Sequence, residues 1–194
     1  MIDLEPLLRK FVKAMGTLNI PYVIVGGFAI AGWGRPRATR DVDVIIQLRV
    51  NDIPEFVSTL RKAGFSIKPD DVRDALYHKE HFSIFNTETV FHVDAKGVCG
   101  KSEARTLKSR VFMKFLDYEF PISGLEDTIA NKLRFGREQD LEDALAILVR
   151  NRGTVNNRRL EALCAEIGVV GELRALDRKA KRFEEAEARS DRQR

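Results

Sequence analysis

Three short segments constrain this chain more than anything else in it. They are Val23-Ile24-Val25-Gly26-Gly27, then Thr39-Arg40-Asp41-Val42-Asp43-Val44-Ile45-Ile46, then Phe91-His92-Val93-Asp94-Ala95-Lys96-Gly97. An apolar run ending in paired glycines suits a buried strand that turns into a helix, because a residue without a β-carbon lets backbone amides come close to a phosphate. Gly26 and Gly27 therefore read as a donor site for an anionic ligand. Asp41 and Asp43 are separated by one residue, and alternate side chains of an extended strand share a face, so both carboxylates point the same way. With Val42, Val44, Ile45 and Ile46 between and beyond them, the segment is a buried strand carrying two like charges at its exposed end. Such a pair repels, and a divalent cation relieves the repulsion.

Asp94 is the third acid. Phe91, Val93 and Ala95 alternate with His92 and Asp94, which puts the acid on the face opposite the large apolar residues. Two acids on one strand and a third on a neighbouring strand, beside a glycine turn, suit two Mg²⁺ ions that clamp a triphosphate and activate an incoming hydroxyl. Asp41, Asp43 and Asp94 are thus the candidate metal ligands and catalytic residues. His92 shares the face of Asp94 and could touch an acceptor, although a hydrogen-bonded neighbour is the plainer reading.

The stretch GGFAIAGWGRPRATRDVDVII, followed by the lone acid of HVDA, resembles the nucleotidyltransferase superfamily that includes DNA polymerase beta. Its Gly-Gly-x-Ala start, Gly-Arg-x-Arg-x-Thr approach and Asp-x-Asp are similar to the AbiEii-type and MNT-type minimal nucleotidyltransferases of prokaryotic toxin-antitoxin and phage-defence systems. Antibiotic nucleotidyltransferases share much of it. Pro121 to Leu148 resembles the helical part that follows the core in the AbiEii-like group, so the likeness spans roughly residues 20 to 150. The resemblance implies an α/β fold, a mixed-sheet nucleotidyltransferase core with a C-terminal helical subdomain. It also implies an NTP donor, two Mg²⁺ ions, and transfer of an NMP to a hydroxyl of RNA, a protein or a small molecule. If the chain is the toxin-like component of a pair, a cognate antitoxin is its partner. The donor-binding positions it implies are Gly26, Gly27, Thr39, Arg40, Arg37 and Lys132.

Arg35, Arg37 and Arg40 lie in the loop that feeds the Asp-x-Asp strand, where they can hold donor phosphates or an acceptor backbone, or simply neutralise nearby acids. Asp140 and Asp143 stand a helical turn apart and either act in the chemistry or pair with Arg137 or Arg134. Two other readings compete. One is a catalytically silent nucleotide-binding or partner-binding module of the same fold, which the presence of all three acids opposes. The other is a glycosyltransferase with an Asp-x-Asp motif, which ordinarily needs a long nucleotide-binding half where only forty residues precede Asp41.

The chain of 194 residues, 44% hydrophobic and 32% charged, can bury one good core and a helical appendage. A net charge of +4 permits a nucleotide or RNA without demanding one. The longest apolar run, Ile20 to Trp33, holds three glycines and is too short to cross a bilayer, so no membrane association and a cytoplasmic location are expected. Cys99 and Cys164 are isolated and lack metal-ligand spacing.

Apolar periodicity from Leu4 to Leu18 predicts an opening helix capped by Asp3. Strands are expected at Pro21 to Val25 and Asp41 to Gln47, with a short helix from Gly27 to Trp33 between them. Asn51 or Asp52 should cap a helix through Lys62 that Gly64 ends, followed by a short strand at Phe65 to Ile67. Two hairpins follow, His81 to Asn86 with Thr89 to Lys96, and Arg110 to Phe115 with Tyr118 to Ile122. Ser123 and Glu126 have the spacing of a capping box for a helix ending near Gly136. Further helices are expected at Glu138 to Val149, Asn156 to Ile167 and Gly171 to Ala188. The expected domains are a core of 1–122, a helical subdomain of 123–176, and a charged tail of 177–194 that is either a solvated helix or disordered.

Overall fold

A computed structural model describes residues 4–36 and 39–191, apart from the side chains at 187, 188, 190 and 191. The chain forms two compact units. One comprises Met1–Gly32 and Arg37–Ser123, the other Trp33–Pro36 and Gly124–Arg194.

The first unit is built on a seven-stranded sheet. Its strands are β1 (Tyr22–Ile24), β2 (Asp41–Ile46), β3 (Phe65–Ser66), β4 (His81–Asn86), β5 (His92–Gly97), β6 (Val111–Phe115) and β7 (Tyr118–Ile122), in the order β3-β4-β5-β2-β1-β7-β6. The sheet is mixed, because β2 runs parallel to β5 and β1 parallel to β7, while the remaining neighbours are antiparallel. This is the α/β core that the glycine and aspartate segments predict.

The helices of this unit are α1 (Glu5–Leu18), α2 (Gly26–Gly32), α3 (Ile53–Lys62), α4 (Pro69–His78) and α5 (Lys101–Lys108). Phe11 on α1 meets Tyr22 and Phe65 edge-on, and Phe56 on α3 meets Phe82 in the same way. On β2 and β5 the same alternation governs burial. Val42, Val44 and Ile46 lie beside Val93, Ala95 and Gly97 on the packed face, which leaves the aspartates half-buried on the other. A large apolar area removed from water at every second residue fixes this register, since a slip of one residue would bury the carboxylates and expose the core.

Three local expectations change. Asp3 lies outside the described residues, and α1 opens at Leu4 with Pro6 in its first turn. A short 3-10 turn, Val50–Asp52, precedes α3, and the Asp52 side chain makes no cap bond. Helices α4 and α5 carry too few apolar residues to stand out in the sequence, yet Val72 and Leu107 are buried and anchor them.

The second unit holds α6 (Leu125–Phe135), α7 (Glu138–Arg150), α8 (Asn157–Ile167) and α9 (Val170–Asp191). Ile129, Leu133, Ile147, Leu148, Leu160, Leu163, Leu173 and Leu176 form its buried apolar stripes. The expected capping box does not form. Gly124 occupies the N-cap of α6, and Glu126 instead accepts a hydrogen bond from the Asn156 amide at 2.9 Å. Asn156 caps α8 by accepting from the Arg159 amide at 3.0 Å. The charged tail continues α9. Ala180 is fully buried and Arg152 pairs with Asp177 at 2.8 Å and Glu184 at 3.5 Å, so ion pairs and one apolar contact carry the helix past Leu176.

Among the described residues no helix is long and apolar enough to cross a membrane. Both cysteines are free thiols, and burial pushes the Cys164 thiol up to about 11.

Candidate active site

The site starts from the parallel pairing of β2 with β5. Asp41 is in register with His92, and Asp43 with Asp94. Partners in a parallel register point to the same side, so the alternation read from sequence brings all four side chains to one face. On the far side of β5, antiparallel β4 sets Ser83 opposite Asp94 and Phe85 opposite His92.

Hydroxyl and imidazole groups hold two of these carboxylates. The Thr39 hydroxyl donates to Asp41 Oδ1 at 2.8 Å. The Ser83 hydroxyl donates to Asp94 Oδ1 at 2.6 Å, and His92 Nε2 stands 3.3 Å from Asp94 Oδ2. Neither Asp41 nor Asp94 pairs with a lysine or arginine among the described residues. One ligand atom each from Asp41, His92 and Asp94 lies within 4.8 Å of the others. That donor set fits a divalent cation, whose ligands sit at about 2.0–2.3 Å, after a small side-chain adjustment.

On that same face Asp43 lies against the glycine turn. A β-carbon built on Gly26, where φ is +62°, would run into the Asp43 carboxylate, so this acid packs against the glycine turn. Only glycine combines that positive φ with so close an approach. Gly27 is nearly as tight, since a β-carbon there would come within 3.2 Å of Thr39 Oγ1. The turn is held to the strand by the Val25 amide, which donates to the Asp43 carbonyl at 2.9 Å. The expected trio of acids therefore shares one face, while the tightest cluster takes His92 in place of Asp43.

The basic residues divide. Arg40 is exposed at the bend before β2, and Arg37 lies outside the described residues. Arg35 belongs to the helical unit and pairs there with Glu142 at 3.1 Å and with Asp143 at 3.0 Å. Lys132, read from the sequence as a donor-phosphate ligand, is buried in that unit. Its ammonium reaches Asp140 at 2.5 Å and Asp143 at 3.1 Å. Asp140 also binds Arg137 at 2.6 Å, the pairing its sequence spacing allows. Burial works to raise the Asp140 carboxyl, but hydrogen bonds from Arg137 and Lys132 outweigh it and hold the group below the usual carboxylate range.

Sequence reasoning did not single out Ser83 or Phe85. The signal was present: in the predicted hairpin with Thr89 to Lys96, Ser83 and Phe85 alternate with buried Phe82 and Ile84, so they share the face of Asp94.

Solved structures share this fold. The crystal structure of ANT(2'')-Ia in complex with adenylyl-2''-tobramycin is 14% identical with a TM-score of 0.56, over 86% of this chain and 97% of that one. An antigenic nucleotidyltransferase-like protein from Paracoccidioides brasiliensis is 17% identical with a TM-score of 0.57, over 92% and 93%. The lincomycin-bound lincosamide antibiotic adenylyltransferase LnuA is 13% identical with a TM-score of 0.50, over 74% and 94%. No curated protein matches the chain. A family model for aminoglycoside-2''-adenylyltransferase matches residues 7–113, a span that is more than half of the chain and contains the glycine turn and all three acids. The chain belongs to the aminoglycoside-2''-adenylyltransferase family and is a nucleotidyltransferase.

Proposed function

We propose that this protein transfers an NMP from an NTP, with a divalent cation such as Mg²⁺, to a hydroxyl of a small polar acceptor of the aminoglycoside type. The observation that carries this reading is the in-register pairing of Asp41 and Asp43 with His92 and Asp94 beside the Gly26 turn. The family match supports a small-molecule acceptor, as do the neighbours whose names mention an adenylylated tobramycin and a lincosamide.

Each residue has a definite task. Asp41 and Asp94, with Asp43 beside them, hold the cations. When bound, those ions neutralise the triphosphate and lower the pKa of the acceptor hydroxyl. Thr39 and Ser83 fix the orientation of the Asp41 and Asp94 carboxylates by donating one hydrogen bond to each. Gly26 and Gly27 keep the turn open so that backbone N–H groups, which have no carbonyl partner in the first turn of a helix, can face a phosphate. Arg40 offsets charge on the transferred and leaving groups. Lys132 pairs with Asp140 and Asp143 inside the helical unit, and its first task is to neutralise them.

An RNA or protein acceptor with a cognate antitoxin is the weaker reading. It rests on the resemblance of the glycine and aspartate segments and of residues 121–148 to the AbiEii-like and MNT-like groups, and in the latter stretch the Lys and Asp-x-x-Asp pattern forms the internal ion pairs just described.

The decisive experiment supplies each α-phosphate-labelled NTP with Mg²⁺ and, separately, an aminoglycoside panel, total RNA and cell protein. Label is expected on an aminoglycoside, with unlabelled pyrophosphate released, and no label should be transferred when the cation is chelated. Label entering RNA or protein alone would overturn the small-molecule reading.

A further inference from the structure

We propose that His92 is itself a metal ligand, so that Asp41, His92 and Asp94 bind one divalent cation through a mixed nitrogen and oxygen set that favours Mn²⁺ over Mg²⁺. This rests on the site described above and adds a ligand and a metal preference to it. The geometry comes from the strand register. His92 sits between two register partners, Asp41 on β2 and Phe85 on β4, so its ring has one neighbour on each side. The Phe85 ring lies 5.7 Å away and is inclined by 32°, covering the imidazole on the side away from Asp41. Phe85 is itself 55% exposed, and its ring contact is with His92.

Nε2 stands 3.3 Å from Asp94 Oδ2, and a ring nitrogen of His92 is one of the three ligand atoms that lie within 4.8 Å of one another. The other Asp94 oxygen already accepts from Ser83. A ligating carboxylate fixed by an outer hydrogen bond, and a ligating imidazole fixed by a packed ring, are the supports that a metal site uses to orient its ligands. Mg²⁺ prefers six oxygen ligands in near-ideal octahedral geometry, whereas imidazole nitrogen suits later, softer ions. Replacing one carboxylate by an imidazole therefore moves preference away from Mg²⁺ and towards Mn²⁺ and the ions beyond it.

The test uses Mn²⁺ alone with the full-length protein. Electron spin-echo envelope modulation should show coupling to ¹⁴N, and protein grown on ¹⁵N-histidine should show the ¹⁵N pattern in its place. The chain has three histidines, so His92→Gln must abolish the coupling for His92 to be its source. Calorimetry on the parent should give tighter binding of Mn²⁺ than of Mg²⁺, and in His92→Gln the Mn²⁺ affinity should fall about tenfold or more while Mg²⁺ affinity changes less. Phe85→Ala should weaken the nitrogen coupling without removing Mn²⁺ binding. Bound Mn²⁺ with no nitrogen coupling, or coupling that persists in His92→Gln, overturns the inference. Transfer of label by the parent with Mg²⁺ is measured separately, so the nucleotidyl-transfer reading can stand where histidine ligation falls.

Discussion

Two groups of aspartates in this protein have opposite settings. On the sheet, Asp41 and Asp94 are half-buried and held by the hydroxyls of Thr39 and Ser83 and by an imidazole. In the helical unit, Asp127, Asp140 and Asp143 are at most 1% exposed, and each is met by a cation: Arg159 for the first, Lys132 and Arg137 for the second, Lys132 and Arg35 for the third. A buried carboxylate without a cation costs several kcal/mol of desolvation, so the helical unit supplies its own lysine and arginines. Carboxylates oriented by neutral hydroxyls keep their charge for something from outside. The contrast separates acids that stabilise the fold from acids that bind a ligand, although both groups look alike as spaced aspartates.

The largest effect should come from removing the cation of the helical network. Lys132→Met leaves Asp140 with only an exposed arginine and is expected to cost about 3–5 kcal/mol in urea unfolding. A loss below about 1 kcal/mol would mean that the two groups do not differ as described. Asp41→Asn and Asp94→Asn should behave in the reverse way. Transfer should fall by roughly 10³-fold or more, as for loss of a group that stabilises charge in the transition state. Stability should stay within about 0.5 kcal/mol, since each change removes charge without opening a cavity. Substantial unfolding of either variant would put the sheet aspartates with the structural ones. Between these lies Gly26→Ala, where a positive φ and the Asp43 carboxylate both oppose a β-carbon. It is expected to cost about 1–3 kcal/mol, read by thermal unfolding, together with a loss of transfer.

Much of this contrast was legible in the sequence, and the part that was not has a physical cause. The alternation of Val42, Val44 and Ile46 with Asp41 and Asp43 gives strand, face and burial at once, because a period of two is rarely produced by anything else. The same holds for Asp94 opposite Val93 and Ala95. The partner of each strand is a different matter. The parallel pairing of β2 with β5 joins residues about fifty apart, and nothing local marks it. For that reason His92 read as a neighbour of Asp94, while its place beside Asp41 came only with the sheet. Lys132 is a related case. Spacing from Ile129 and Phe135 puts it on a helix, but only α7 packing against α6 turns it towards Asp140 and Asp143. The capping box at Ser123 and Glu126 failed because Gly124 took the cap and Glu126 was drawn to the Asn156 amide, 30 residues away in sequence.

The finest distinction between the two groups is in how acid should act on them. Asp140 has its carboxyl held below the usual range despite burial, by hydrogen bonds from Arg137 and Lys132. A carboxyl depressed in the folded state contributes stability that is fully present above its unfolded value, about 3.9, and is lost as pH falls through the folded value. Arg137 is 76% exposed, so its own share is screened by water and small. Arg137→Ala should therefore be slightly less stable than the parent at neutral pH. The gap should close as pH drops below about 4, where Asp140 takes up a proton in the variant before it does in the parent. A gap that stays constant down to pH 2 would show that Arg137 acts by packing its stem against α7 and not by holding the Asp140 charge, which would then rest on Lys132 alone.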